Sequence, residues 1–276
     1  MANTVSFTVD SAVGRRTVSL AYERSGDGAP LLLLHGIGHH HQAWAPVAGI
    51  LAAERDVIAV DLPGFGASPG LPDGLPYDVR TVAPLLGSFC DAIGVVRPHV
   101  AGNSLGGLLA LMMGSDGLVR SVTALSPAGF WSGYERRYAF GVLRAMRGAA
   151  LTMPMPLIVR LSRSAPGRAA LTSTIYARPG RRSPDAVVAE TVALRGATGF
   201  HQTLSVGRGA AFTDDVPDIP VTIAWGTRDR LLPRRQGVRA RQVVRQARLV
   251  RLPGCGHVPM NDDPAAVARV ILDTSR

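Results

Sequence analysis

Two stretches fit glycine-any-serine-any-glycine, the turn sharp enough to lift a hydroxyl clear of a sheet: Gly66-Ala67-Ser68-Pro69-Gly70 and Gly102-Asn103-Ser104-Leu105-Gly106. A serine that attacks a carbonyl needs a backbone N–H from the next residue to hold the developing anion, and at Ser68 that residue is Pro69, which has none. Ser104 follows the apolar run 99–101 and opens a helical stretch at 105–113, whose N-terminal dipole favours negative charge. Gly102, Gly106 and Gly107 remove side chains that would collide in so tight a turn. Ser104 is therefore the expected nucleophile.

A serine hydroxyl attacks only when a base takes its proton. Of the seven histidines, His39, His40 and His41 form a run that reads as an exposed loop, His99 lies within a strand and His201 within a helical insertion. His257 ends Pro253-Gly254-Cys255-Gly256-His257 directly after the last strand, on the rim where Ser104 stands, and is the expected base. The carboxylate that fixes its tautomer is expected at Asp229, just past the strand 221–225; Asp214, Asp215 and Asp218 precede that strand and belong at its other end. The order Ser, Asp, His differs from the His, Asp, Ser and Asp, His, Ser orders of two other serine-triad folds. The anion should be held by the N–H groups of Leu105 and of Ile37 in His35-Gly36-Ile37-Gly38, with His35 structural.

These residues require a sheet. Alternating or continuous apolar runs at 4–9, 17–22, 31–34, 57–60, 99–101, 119–125, 221–225 and 249–252 predict eight strands. Helical stretches at 79–93, 105–113, 233–245 and 264–272, the last capped by Asp262 or Asp263, alternate with the later strands and predict a mostly parallel sheet covered on both faces. The alternation lapses between 126 and 218, where short helices at 138–146, 156–161 and 184–195 are expected, broken at Pro154, Pro156, Pro166 and Pro179. The expected organisation is an α/β core of residues 1–127 and 211–276 with a helical cap, 128–210, over the carboxyl ends of the strands.

A chain of 276 residues with 46% hydrophobic content can bury a full core. Its opening residues carry no basic-then-apolar leader, so a cytoplasmic protein is expected. Cys90 and Cys255 have no metal-type spacing and are expected as reduced thiols; neither a metal nor a cofactor is implied. The formal charge is +10, and every basic residue is arginine. The excess is concentrated at 131–210, where twelve arginines face only Glu135, Asp185 and Glu190; arginine placed on solvated faces accounts for it as well as a partner does, and no nucleic-acid partner is expected. The basic insertion, with its apolar run 151–161, suits an anionic or lipid-like acyl substrate or a peripheral contact with an anionic membrane.

The chain resembles the α/β-hydrolase family over nearly its whole length. The matching motifs are His35-Gly36, Asp61-Leu62-Pro63-Gly64-Phe65-Gly66-Ala67-Ser68, the elbow at 102–107, Trp225-Gly226-Thr227-Arg228-Asp229 and Gly256-His257. The resemblance implies a serine hydrolase, a structural role for the loop 61–68, and no kinship with the branches that attack through aspartate, since position 104 is serine. The elbow is similar to that of the C–C bond hydrolases of aromatic degradation, although those tend to carry tryptophan where this chain has Val258. Ester hydrolysis is the first expectation and cleavage of a diketone-type ring-fission product the alternative. A small-molecule receptor that keeps the fold is a rival of another class.

Overall fold

The computed structural model describes residues 3–11 and 14–276, so the expectation drawn from the opening residues falls in part, at Met1 and Ala2, outside the described residues. The eight strands form one sheet: β1 (Asn3–Val9), β2 (Arg16–Ser25), β3 (Ala29–Leu34), β4 (Arg55–Val60), β5 (His99–Asn103), β6 (Ser121–Leu125), β7 (Val221–Gly226) and β8 (Arg248–Leu252), ordered β1-β2-β4-β3-β5-β6-β7-β8. β2 runs antiparallel to both neighbours and every other pairing is parallel. The central strands are buried along almost their whole length, which is why 31–34 and 221–225 read as continuous apolar runs and β1 as an alternating one.

The order reverses at β3: the chain leaves it for β4 on one side and returns to β5 on the other. At such a point the loops after two adjacent parallel strands diverge and leave a crevice at their carboxyl ends. The pairing Leu34↔Gly102 places the loop beginning at His35 beside Asn103 and Ser104.

The helices of the core are α1 (Ala45–Ala52), α2 (Val79–Ala92), α3 (Leu105–Ser115), α9 (Arg235–Val243), α10 (Pro259–Asp262) and α11 (Pro264–Thr274). Asp263, not Asp262, caps α11, accepting from the Ala266 amide. Between β6 and β7 lie α4 (Gly133–Thr152), α5 (Met155–Ser162), α6 (Ala165–Thr172), α7 (Pro184–Gly196) and α8 (Phe200–Val206). α4 starts ahead of the stretch 138–146 because Ser132 and Glu135 form a reciprocal capping box, and it runs on past that stretch to Thr152. Pro156 and Pro166 do not break helices; each sits in the first turn of α5 or α6, where its missing N–H costs nothing. No single helix among the described residues is long and apolar enough to cross a membrane; α4 and α5 qualify by composition only as a pair bent by 108°.

The run His39–His41 is not an exposed loop: His40 and His41 are buried. Asp61, 1% exposed, accepts the His41 amide at 2.6 Å and the Ala67 amide at 2.8 Å, and the His41 ring Nδ1 lies 3.0 Å from its Oδ1. Burial alone would raise the Asp61 carboxyl, but the contact with His41, nearby His35 and the two amides outweigh it and hold it at about 2. His41 is raised in turn, because Asp61 and Glu23 together overcome its own burial. The pair pins the loop after β3 to the loop after β4. Ser68 belongs to the same knot, its hydroxyl donating to Asp61 O at 2.7 Å and accepting from the Ala21 amide at 2.9 Å. Cys90 and Cys255 are separate buried thiols, each pushed up to about 12 by burial.

Candidate active site

Ser104 sits between β5 and α3 with φ of 57° and ψ of −114°, a backbone state that costs a non-glycine residue about 1–3 kcal/mol. Three backbone hydrogen bonds enforce it: its N–H donates to Leu125 O at 3.0 Å, and its carbonyl accepts from Leu108 at 3.1 Å and Ala128 at 3.0 Å. The flanking glycines are obligatory. A Cβ on Gly102 would lie 2.0 Å from Gly106 O, and one on Gly106 would lie 2.1 Å from Leu34 O. Asn103, 2% exposed, donates through Nδ2 to Leu125 O at 3.1 Å and to His257 O at 2.9 Å, so the residue before Ser104 holds the backbone of His257. The elbow pattern itself contained this residue, but its reach to the histidine loop spans 154 positions of chain and has no local signal.

The His257 imidazole is buried, and its Nδ1 lies 2.9 Å from Asp229 Oδ2. A carboxylate there accepts, so Nδ1 carries a proton. The other oxygen of Asp229 accepts the Leu231 and Leu232 amides at 2.9 and 2.8 Å. That loop is fixed by Trp225 Nε1 donating to Leu232 O at 2.9 Å and by the Arg228 amide donating to Cys255 O at 2.8 Å. The aspartate and histidine loops touch backbone to backbone; a Cβ on Gly226 would lie 2.2 Å from Gly256 O.

His35 is structural. Its Nε2 accepts the Leu62 amide at 3.0 Å, which leaves Nδ1–H to donate to Gly36 O at 2.8 Å, and burial lowers its proton affinity. The turn it secures brings Gly36 to Ser104: a Cβ there would lie 3.2 Å from Ser104 Cβ. The N–H groups of Ile37 and Leu105 donate to no protein acceptor among the described residues.

Ser104, Ile37 and Leu105 line one cavity of about 300 Å³. Its remaining wall is mostly apolar and is supplied largely by the insertion, including Trp131, Phe140, Leu143 and Leu204. None of the insertion's twelve arginines lines it. Several are spent on backbone carbonyls: Arg195 reaches Ala150 O and Met153 O at the end of α4, Arg147 reaches Ala197 O, and Arg168 reaches Ser162 O and Gly180 O. Arg182 forms a buried pair with Glu190, which also accepts from the Tyr176 hydroxyl at 2.7 Å. The basic excess of the insertion is thus partly internal scaffolding.

An apolar chamber with a strained serine and two amides without acceptors after β3 and β5, and a carboxylate-bound imidazole after β7 and β8 of the same sheet, is suited to acyl chemistry. Comparison with known proteins agrees at the level of family. Residues 31–270 match the model of the alpha/beta hydrolase family. An uncharacterised protein of Mycobacterium tuberculosis is 27% identical over 266 residues, covering 91% of this chain and 76% of that protein. Among solved structures, a membrane phospholipase A described as a bacterial virulence factor superposes with a TM-score of 0.72 at 26% identity, covering 98% of this chain and 86% of the other. A thermophilic esterase from Thermogutta terrifontis superposes with a TM-score of 0.76 at 20% identity, covering 99% and 97% of the two chains, a likeness of fold. The chain belongs to the alpha/beta hydrolase family and is a hydrolase.

Proposed function

We propose that the protein hydrolyses carboxylic esters of apolar acids through an acyl-enzyme on Ser104, with residues 128–210 acting as a cap that forms the acyl pocket. The observation that carries this reading is the pairing of His257 Nδ1 with Asp229 at 2.9 Å, whose carboxylate also accepts the amides of Leu231 and Leu232, two residues that line the cavity holding Ser104, Ile37 and Leu105. In the proposed cycle the Ser104 hydroxyl attacks the carbonyl carbon while His257 Nε2 takes its proton, and the Ile37 and Leu105 amides hold the oxyanion. His257 then gives that proton to the departing alcohol, and water, deprotonated by the same nitrogen, releases the acid.

The mostly apolar wall predicts which esters are best. Each methylene added to the acyl chain is worth about 0.8 kcal/mol of burial, or roughly fourfold in kcat/KM, until the chamber is full. A series of p-nitrophenyl esters assayed beside a ring-fission diketone tests this. A plateau from acetate onward would remove the acyl-pocket assignment. Faster turnover of the diketone than of any ester would favour C–C cleavage, and a single burst that stops would favour a receptor.

A lipid-like substrate has separate support on the cap's outer surface. Leu151 is 54% exposed and Leu157 41% exposed at the corner between α4 and α5, with Arg144, Arg160 and Arg163 exposed around them, and no acidic residue occurs between Glu135 and Asp185. Such a corner suits the interface of an anionic bilayer, where each arginine contributes about 1 kcal/mol. The protein should co-sediment with phosphatidylglycerol vesicles and not with phosphatidylcholine vesicles, and the double variant Leu151→Asp/Leu157→Asp should lose this binding. Equal recovery with both lipids would dismiss the contact.

A further inference from the structure

The loop bearing His257 is fastened to the cap as well as to the core. Asp262, five positions further on, has no exposed surface and turns its carboxylate back into the fold. Its Oδ2 accepts the amides of Gly256 at 2.7 Å and Ala177 at 3.0 Å, and its Oδ1 accepts the amide of Arg178 at 2.7 Å. Its carbonyl accepts the guanidinium groups of Arg178 at 3.1 Å and Arg181 at 2.7 Å. On the other side of the histidine, the Val258 amide donates to Ile175 O at 3.1 Å. Both residues flanking His257 are therefore tied to the segment 175–178 that follows α6, one directly and one through Asp262. A Cβ on Gly256 would lie 2.7 Å from both Ala177 N and Ile175 O, so the two backbones meet with no side chain between them. Tyr176, in the middle of that segment and 1% exposed, is anchored in turn on Glu190 of α7.

We propose that Asp262 is a positioning residue which locks the cap segment 175–178 to the His257 loop, so that cap placement and imidazole placement form one unit. The inference rests on the triad reading given above. Physically, one carboxylate supplies the acceptor for three amides, that of Gly256 buried and those of Ala177 and Arg178 partly buried, none of which has another protein acceptor among the described residues. The imidazole sits one residue from the first of those amides. Proton transfer from Ser104 requires it within hydrogen-bond reach, and a displacement of about 1 Å costs on the order of a hundredfold in rate.

The test is Asp262→Asn, which keeps the volume but replaces one acceptor oxygen with a donor facing an N–H. Active serines are counted by titrating to completion with a fluorophosphonate, and ester turnover is then expressed per titrated serine. The expected result is a 10- to 100-fold loss of kcat per titrated serine with KM changed less than threefold. Asp263→Ala serves as the control: it removes the cap of α11, and it should lower the melting temperature while kcat per titrated serine holds. If Asp262→Asn behaves like Asp263→Ala, the residue is merely structural and the inference falls. If Ser104→Ala keeps wild-type turnover, the triad reading falls and takes the inference with it; if Ser104→Ala is inactive and Asp262→Asn is normal per serine, only the inference falls. Should Asp262→Asn not fold, amide exchange in the wild-type protein decides. Gly256, Ala177 and Arg178 are expected to exchange together at one rate, whereas exchange of Gly256 with the sheet and of the other two with the cap helices would overturn the coupling.

Discussion

Ser104→Ala is expected to lower kcat/KM for its best ester by 10⁵- to 10⁶-fold and to abolish labelling by a fluorophosphonate. The size follows from what is lost: without the hydroxyl no acyl-enzyme forms, and only the general advantage of binding and of the two amides remains. The loss should be chemical and not structural. Alanine keeps the Cβ that packs against Gly36, and the three backbone hydrogen bonds that impose φ of 57° do not involve the side chain. The melting temperature should therefore stay within a few degrees of the parent's. A variant that folds normally and still turns over esters, or still takes the label, would remove Ser104 from the mechanism.

Asp229→Asn should cost about 10⁴-fold in kcat while leaving the fold intact. The direction comes from the neighbours of the side chain. One oxygen accepts the Leu231 and Leu232 amides, so an asparagine must keep its carbonyl there and turn its NH₂ toward His257. A donor facing Nδ1 forces the imidazole into the opposite tautomer, with the proton on Nε2, the atom that should receive the proton of Ser104. The ring is present and in place, but it cannot act as base. Kinetics with a p-nitrophenyl ester, checked against the melting curve, would measure this; a loss under tenfold would mean that Asp229 does not set the tautomer.

The two variants probe different parts of one arrangement, and the sequence foreshadowed its members unequally. Ser104, Asp229 and His257 could each be placed past a strand because β5 and β7 are short, mostly apolar runs, β8 is a brief Leu-Val stretch between arginines that stops at Pro253-Gly254, and a parallel sheet carries all such ends to one rim. Local chemistry also rejected Ser68, since the absence of an N–H on Pro69 needs no tertiary knowledge. Other local signals define the helices of the insertion. The capping box of Ser132 and Glu135 stands in the sequence and lengthens α4, and Pro156 and Pro166 begin helices, as proline does when a suitable turn precedes it.

Legible in the chain alone are the positions of the eight strands, their mostly parallel pairing, the elbow around Ser104 and the side of the sheet on which candidate groups must stand, because strand period and glycine placement are local constraints; the lateral order, with its reversal at β3, is not. Long-range packing set the rest: His40 and His41 are buried beside Asp61, the arginines of the insertion avoid the cavity, and Asn103 and Asp262 both hold the His257 loop, one at the His257 carbonyl and the other at the Gly256 amide. Those outcomes depend on hydrogen-bond acceptors meeting buried amides across tens or hundreds of residues. A buried polar group must find a partner, but no pattern within a short stretch of chain says which partner it will find.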